Sequence, residues 1–156
     1  MQSKQLKSVI VSNSEGKEWH VFGQTVIGKV MSDDTNGAYS VFEQLSPPQS
    51  GPPVHIHRSE DEMIYILEGD LEIKWGDQIR LGTKGDLAFI PRNIPHTFKN
   101  IGTVPSKVLV MIMPGGFEGF FEELNHLPTD EPPEVEKILR VAEKYNAEII
   151  RTGGNR

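Results

Sequence analysis

The chain has 156 residues, enough for one domain with a sound hydrophobic core and short of two. Its 16 basic and 22 acidic residues leave a net charge of −6 with no basic patch, which excludes nucleic acid as an expected partner. Absence of cysteine removes disulfides, thiolate nucleophiles and zinc–thiolate sites, so any metal must be held by His, Asp or Glu.

Hydrophobic residues make up 37% and charged residues 24%, as in a folded globular chain, while 15 glycines and 11 prolines punctuate short elements. Apolar runs such as Val108–Met113 fall well short of the ~18 residues of a membrane helix, and Met1–Ile10 has no signal-like apolar core. A cytoplasmic protein with no membrane partner is expected.

From Trp19 to Met113 the sequence is a series of short runs rich in Val, Ile, Phe, Tyr and Thr, separated by Gly, Pro, Asn and Asp. That pattern predicts an all-β sandwich or barrel. Strands are expected at Glu18–Gln24, Thr25–Met31, Tyr39–Leu45, Met63–Leu67, Leu71–Trp75, Gln78–Leu81, Leu87–Ile90, His96–Asn100 and Lys107–Met113. Glu68-Gly69-Asp70 reads as a tight hairpin between two of them. No segment has room for a crossover helix, so the pairing should be antiparallel. After Pro114-Gly115-Gly116 the period changes: Phe117, Phe120, Phe121 and Leu124 predict a short amphipathic helix. Pro132 and Pro133 open a second one, with Val135, Ile138, Leu139, Ala142 and Tyr145 on one face.

Chemistry concentrates at His55, His57, Glu62 and His96. On a strand, positions i and i+2 share a face, so His55 and His57 present two imidazoles together. The polar run Arg58–Asp61 can turn the chain and reset its register, which places Glu62 beside Ile64 and Ile66 on the next strand. His96 can join from a third. Three imidazoles and one carboxylate suit a divalent first-row ion with coordination positions left open. His20 and His126 read as surface or satisfied histidines.

The stretch Gly51-Pro52-Pro53-Val54-His55-Ile56-His57, then Glu62, then Gly69, resembles the first motif of the cupin family. Gly85, Pro91, His96 and Asn100 resemble the second, with fifteen residues between Gly69 and Gly85 as in compact microbial cupins. Two departures stand out: three residues rather than five precede the first His, and Asn93 replaces a usual Gly. Asn tolerates positive φ, so that turn can survive.

The resemblance implies a jelly-roll barrel over about 18–113, followed by a helical extension over about 117–150. Its interior would hold a metal on His55, His57, Glu62 and His96, the ion being Fe, Mn, Co, Ni, Cu or Zn. The tail Gly115–Leu124 resembles the segment after the barrel in single-domain cupins similar to quercetin 2,3-dioxygenase. A metal-dependent dioxygenase acting with O2 on an enolic or flavonol-like aromatic substrate is therefore expected, with Glu62 as base. A non-catalytic metal-containing binding cupin and a sugar isomerase or epimerase are the alternatives, the latter disfavoured by few basic residues nearby. The expected substrate pocket comprises Tyr39, Ile64, Ile66, Ile73, Phe89, Phe98, Met111, Met113, Phe117, Phe120 and Phe121, although core packing accounts for any single one. The aromatic tail either closes the barrel mouth or packs outside it. A homodimer through sheet edges is expected.

Overall fold

The computed structural model describes residues 4–125 and 134–151. Eleven strands are present among them: β1 (Lys17–Val21), β2 (Gln24–Val30), β3 (Ser40–Ser46), β4 (His55–His57), β5 (Asp61–Glu68), β6 (Leu71–Trp75), β7 (Gln78–Gly82), β8 (Leu87–Ile90), β9 (His96–Asn100), β10 (Ser106–Met113) and β11 (Ala147–Ile149). Helices α1 (Glu118–Leu124) and α2 (Val135–Lys144) lie between β10 and β11. Six strands form one sheet in the order β1-β2-β3-β10-β5-β8, and five form the other, β11-β4-β9-β6-β7. Every pairing is antiparallel, as the short connections require.

Alternation along the strands aims one face of each sheet inward. In β5 the inward set is Glu62, Ile64 and Ile66; in β10 it is Val108, Val110 and Ile112. With Trp19, Phe42, Leu71, Ile73 and Phe98 these residues fill the space between the sheets. Each such side chain contributes about 1.5–3 kcal/mol on burial.

Two boundaries differ from the sequence-based expectation for physical reasons. Phe22 and Gly23, assigned to the first strand, form the β1–β2 turn with φ of 55° and 74°, values a strand residue does not adopt. Glu68-Gly69-Asp70 is not a hairpin. β5 pairs with β10 and β8, whereas β6 pairs with β7 and β9, so Gly69 (φ 96°) carries the chain from one sheet to the other. The true hairpin follows, where Trp75 pairs with Gln78 across Gly76-Asp77.

The second helix ends at Lys144, and Asn146 at φ 54° turns the chain back into β11, a strand absent from the sequence reading. β11 pairs with β4, Ala147 opposite His57 and Ile149 opposite His55. The tail thus closes over the strand that carries two of the histidines. Pro132, Pro133 and His126 lie outside the described residues.

Candidate metal centre and its cavity

The four singled-out side chains come from three neighbouring strands. β4 supplies His55 and His57, β9 pairs His96 directly with His55, and Glu62 reaches across from β5 in the facing sheet. Their donor atoms all lie within 4.8 Å of one another. Glu62 Oε2 sits 2.6 Å from His96 Nε2, 3.2 Å from His57 Nε2 and 4.0 Å from His55 Nε2. His57, Glu62 and His96 are buried, and His55 is half-buried at the cavity wall.

The opposite edge of each ring explains this convergence. His55 Nδ1 lies 2.8 Å from the carbonyl of Pro53, and His96 Nδ1 lies 2.9 Å from that of Ile94. Both carbonyls can only accept, so Nδ1 carries a hydrogen toward each of them and Nε2 of each ring is turned to the centre. His57 Nδ1 faces the Glu60 carboxylate at 3.6 Å. Lone pairs gathered around a carboxylate repel unless a cation or protons lie among them. The donor set therefore fits a divalent ion, held by His55, His57, His96 and Glu62.

Protonation in the ion-free protein follows from the same geometry. Burial, then the neighbouring His57 and His96, push His55 down to about 3, leaving it neutral. Burial also opposes charge on His57, but its contacts with Glu60 and Glu62 outweigh that and raise it to about 9. For Glu62, burial favours the neutral acid, yet hydrogen bonds from His57 and His96 hold it well below the usual carboxylate range. An ionised Glu62 among imidazoles is the result.

The cluster forms one wall of an otherwise apolar cavity lined by Val21, Phe22, Val26, Phe42, Gln44, Pro52, Pro53, Phe98, Val110, Ile112, Phe117, Phe120, Phe121, Ala147 and Ile149. Phe117 packs edge-on against His57 at 4.5 Å and stacks on Phe120 at 4.9 Å, so α1 covers the barrel mouth rather than its outside. Glu118 anchors this helix by accepting from Ser32 N–H at 2.7 Å and the Ser40 hydroxyl at 2.8 Å. Among the described residues, Gln44 is the one polar lining side chain besides the four of the cluster. Its Nε2 donates to Gln24 Oε1, which also accepts from the Ser46 hydroxyl.

Of the expected pocket residues, Phe98, Phe117, Phe120 and Phe121 line this cavity. Ile64, Ile66 and Ile73 are buried in the core without lining it. Tyr39 and Phe89 are exposed, and Met111 and Met113 lie on the outward row of β10. The row signal was present in the sequence: Lys107 shares parity with Met111 and Met113, which marks their side as the solvent side, whereas Val110 and Ile112 face in. Ala147 and Ile149 could have been found from Asn146, a helix-stop residue followed by alternation. Nothing local marks Gln44 as a lining residue. His20 is exposed, 3.0 Å from Glu18, and takes no part.

Comparison with known proteins agrees with this picture. The Cupin domain family matches residues 42–112. An uncharacterized protein of Methanocaldococcus jannaschii is 36% identical over 48% of this chain and 60% of its own length. The quercetin 2,3-dioxygenases of Aspergillus japonicus and Bacillus subtilis are 34% and 27% identical over 49% and 76% of this chain, and 23% and 37% of their own. This chain thus spans less than two thirds of each of these relatives. KdgF from a Halomonas species shares the fold with a TM-score of 0.65 at 16% identity, over 72% of this chain and 99% of that one. No described helix is long and apolar enough to cross a membrane. Over residues 42–112 this chain is thus similar to the cupin domain family, and it shares the fold of solved cupins.

Proposed function

We propose that the protein is a metal-dependent dioxygenase that cleaves an enolic or flavonol-like aromatic substrate with O2. The observation that carries this reading is a cluster of three imidazoles and a carboxylate opening into a cavity whose described lining is apolar apart from Gln44. Two of the relatives bear the name quercetin 2,3-dioxygenase. Bound at His55, His57, His96 and Glu62, a divalent transition ion would supply a Lewis acid and an electron path between enolate and dioxygen.

The chain's own residues do the rest. Glu62, held ionised, takes the enolic proton at a carboxylate oxygen. Phe117, Phe120 and Phe121 exclude water from the reacting ring and stack against it. Gln44 reads a polar substituent at the far wall. Among the described residues no Lys or Arg lines the cavity, so these residues offer a sugar phosphate no countercharge there.

The cavity has a volume of about 60 Å³. A one-ring enol, which needs on the order of 150 Å³, already requires the cavity to widen, and a three-ring flavonol requires more. The same tightness favours the second reading, a metal-containing module that binds a small ligand without turnover.

Metal analysis of the purified protein, joined to oxygen uptake across one-ring enols and flavonols, tests both. Uptake that disappears in His96→Ala and in Glu62→Gln is expected. A stoichiometric metal with no oxygen consumed by any compound would leave the binding module.

A further inference from the structure

One residue of the cavity lining breaks a rule of its own local structure. β1 ends at Val21 and β2 begins at Gln24, so Phe22 and Gly23 alone make the turn, with φ of 55° and 74°. Two-residue hairpin turns with positive φ at both positions favour Asn-Gly, because Asn tolerates that conformation and Gly adopts it freely. A bulky aromatic residue in the first position is strained. Its ring gains limited burial in return, being 37% exposed. Strain of this kind gathers where a side chain serves a ligand.

Phe22 stands at the outer end of an aromatic ladder that starts at the cluster. Between ring centroids, His57 meets Phe117 at 4.5 Å, Phe117 meets Phe120 at 4.9 Å, and Phe120 meets Phe22 at 6.3 Å. The inner three rings are buried, and Phe22 is the rung that water reaches. Its seat is firm. Val21 and Gln24, on either side of the turn, are buried. β1 is tied to the covering helix by Trp19 Nε1, which donates to Glu122 Oε2 at 2.6 Å, and by the His20 N–H, which donates to Asn125 Oδ1 at 2.9 Å. Phe22 and Phe120 are thereby held at a fixed spacing at the cavity mouth.

We propose that Phe22 is a specificity-determining residue, which grips an aryl substituent of the ligand at the mouth while the enolic end sits at the cluster. This deepens the enol reading and rests on it. The cavity, at about 60 Å³, is smaller than a single ring needs, so much of a ligand's bulk must lie toward the mouth. There the Phe22 and Phe120 rings, inclined at 39°, form an apolar corner that an aryl group can stack on or meet edge-on. An aliphatic or unsubstituted enol would leave that corner to water. The ligand class that fits is an enol bearing a pendant aromatic ring.

Calorimetric titration of the zinc-loaded protein with pyromeconic acid, a one-ring enol, and with its phenyl-substituted derivative tests this. Zinc has no redox chemistry, so affinity is read without turnover. The wild type is expected to bind the phenyl derivative about 5- to 30-fold more tightly, the gain from burying part of a second ring against Phe22. In Phe22→Asn that advantage should vanish, while the melting temperature holds or rises by a few degrees because Asn suits the turn. Phe22→Tyr, which keeps the ring, should keep the advantage. Equal affinities in the wild type, an advantage that survives in Phe22→Asn, or a lowered melting temperature with both compounds weakened alike would each overturn the proposal and leave the enol reading standing. Failure of both compounds to bind the wild type would sink the two together.

Discussion

At the scale of single residues, the site's most informative atom is the Nδ1 of His57. Backbone carbonyls fix the other two rings, and these cannot be altered by substitution. His57 instead depends on Glu60, whose Oε2 and the ring Nδ1 are both buried, 3.6 Å apart and without another hydrogen-bond partner among the described residues. Carboxylates in this position orient a ligating ring and raise its basicity. Glu60→Gln, which keeps the shape and removes the charge, is expected to weaken divalent-ion affinity about 10- to 100-fold in a competition titration against a chelator. Unchanged affinity would mean that packing against Phe117 holds the ring instead. Gln44→Leu makes a second test at this scale. It should leave ion affinity intact while costing about 1–2 kcal/mol in binding a ligand with a far-side hydroxyl, and nothing for one lacking it, as read by paired isotherms. The four clustered residues were legible because alternation and motif spacing are local properties of the chain. Glu60 and Gln44 were not, since their roles depend on which atoms the fold brings beside them.

Among the elements, β4 is the one whose position matters most, and Gly51 sets it. A Cβ at Gly51 would lie 1.8 Å from the Phe98 carbonyl oxygen on β9, so only glycine lets the lead-in loop approach that strand. Hydrogen bonds of 2.8 Å from Gln49 N–H to the Asn100 carbonyl and from Asn100 N–H to the Ser50 carbonyl fix the contact. Gly51→Ala is expected to cost about 1–3 kcal/mol or more in denaturant unfolding and to weaken ion binding, because Pro53 and His55 move with the loop. Full stability in that variant would show that the loop can retreat without cost. Asn93 likewise adopts φ 69°, donating its N–H to the His57 carbonyl at 2.8 Å, as its tolerance of positive φ allows. What periodicity could not reveal was partnership between elements. Gly69 reads equally as a hairpin or as a passage between sheets, and that choice is made by distant strands, β10 and β9, not by the turn.

For the whole molecule, the cluster links folding, ion binding and proton release in one equilibrium. In the ion-free state near neutral pH, His55 is neutral and Glu62 ionised, while His57, raised to about 9, carries a proton. An ion that takes the His57 lone pair must expel that proton, so its binding constant should rise about tenfold per pH unit from pH 6.5 and level off above pH 9. The stability consequence has a definite sign. Protonated His57 stabilises the ion-free fold fully below its unfolded value of 6.5, and that contribution is lost as pH rises through about 9. The loaded protein has no such proton to lose. Glu62, depressed, contributes equally throughout this window and would matter only on acidification below the ordinary carboxylate range. The melting temperatures of the two forms should therefore diverge with pH. An ion at about a hundred times its dissociation constant adds about 2.7 kcal/mol, or roughly 5–10 °C for a chain of this length. Scanning calorimetry with and without chelator at pH 6.5, 7.5 and 8.5, at one fixed ion concentration, should show the gap widening at each step. A gap independent of pH would mean that His57 is already neutral before the ion arrives, and that the Glu60 and Glu62 carboxylates do not outweigh its burial.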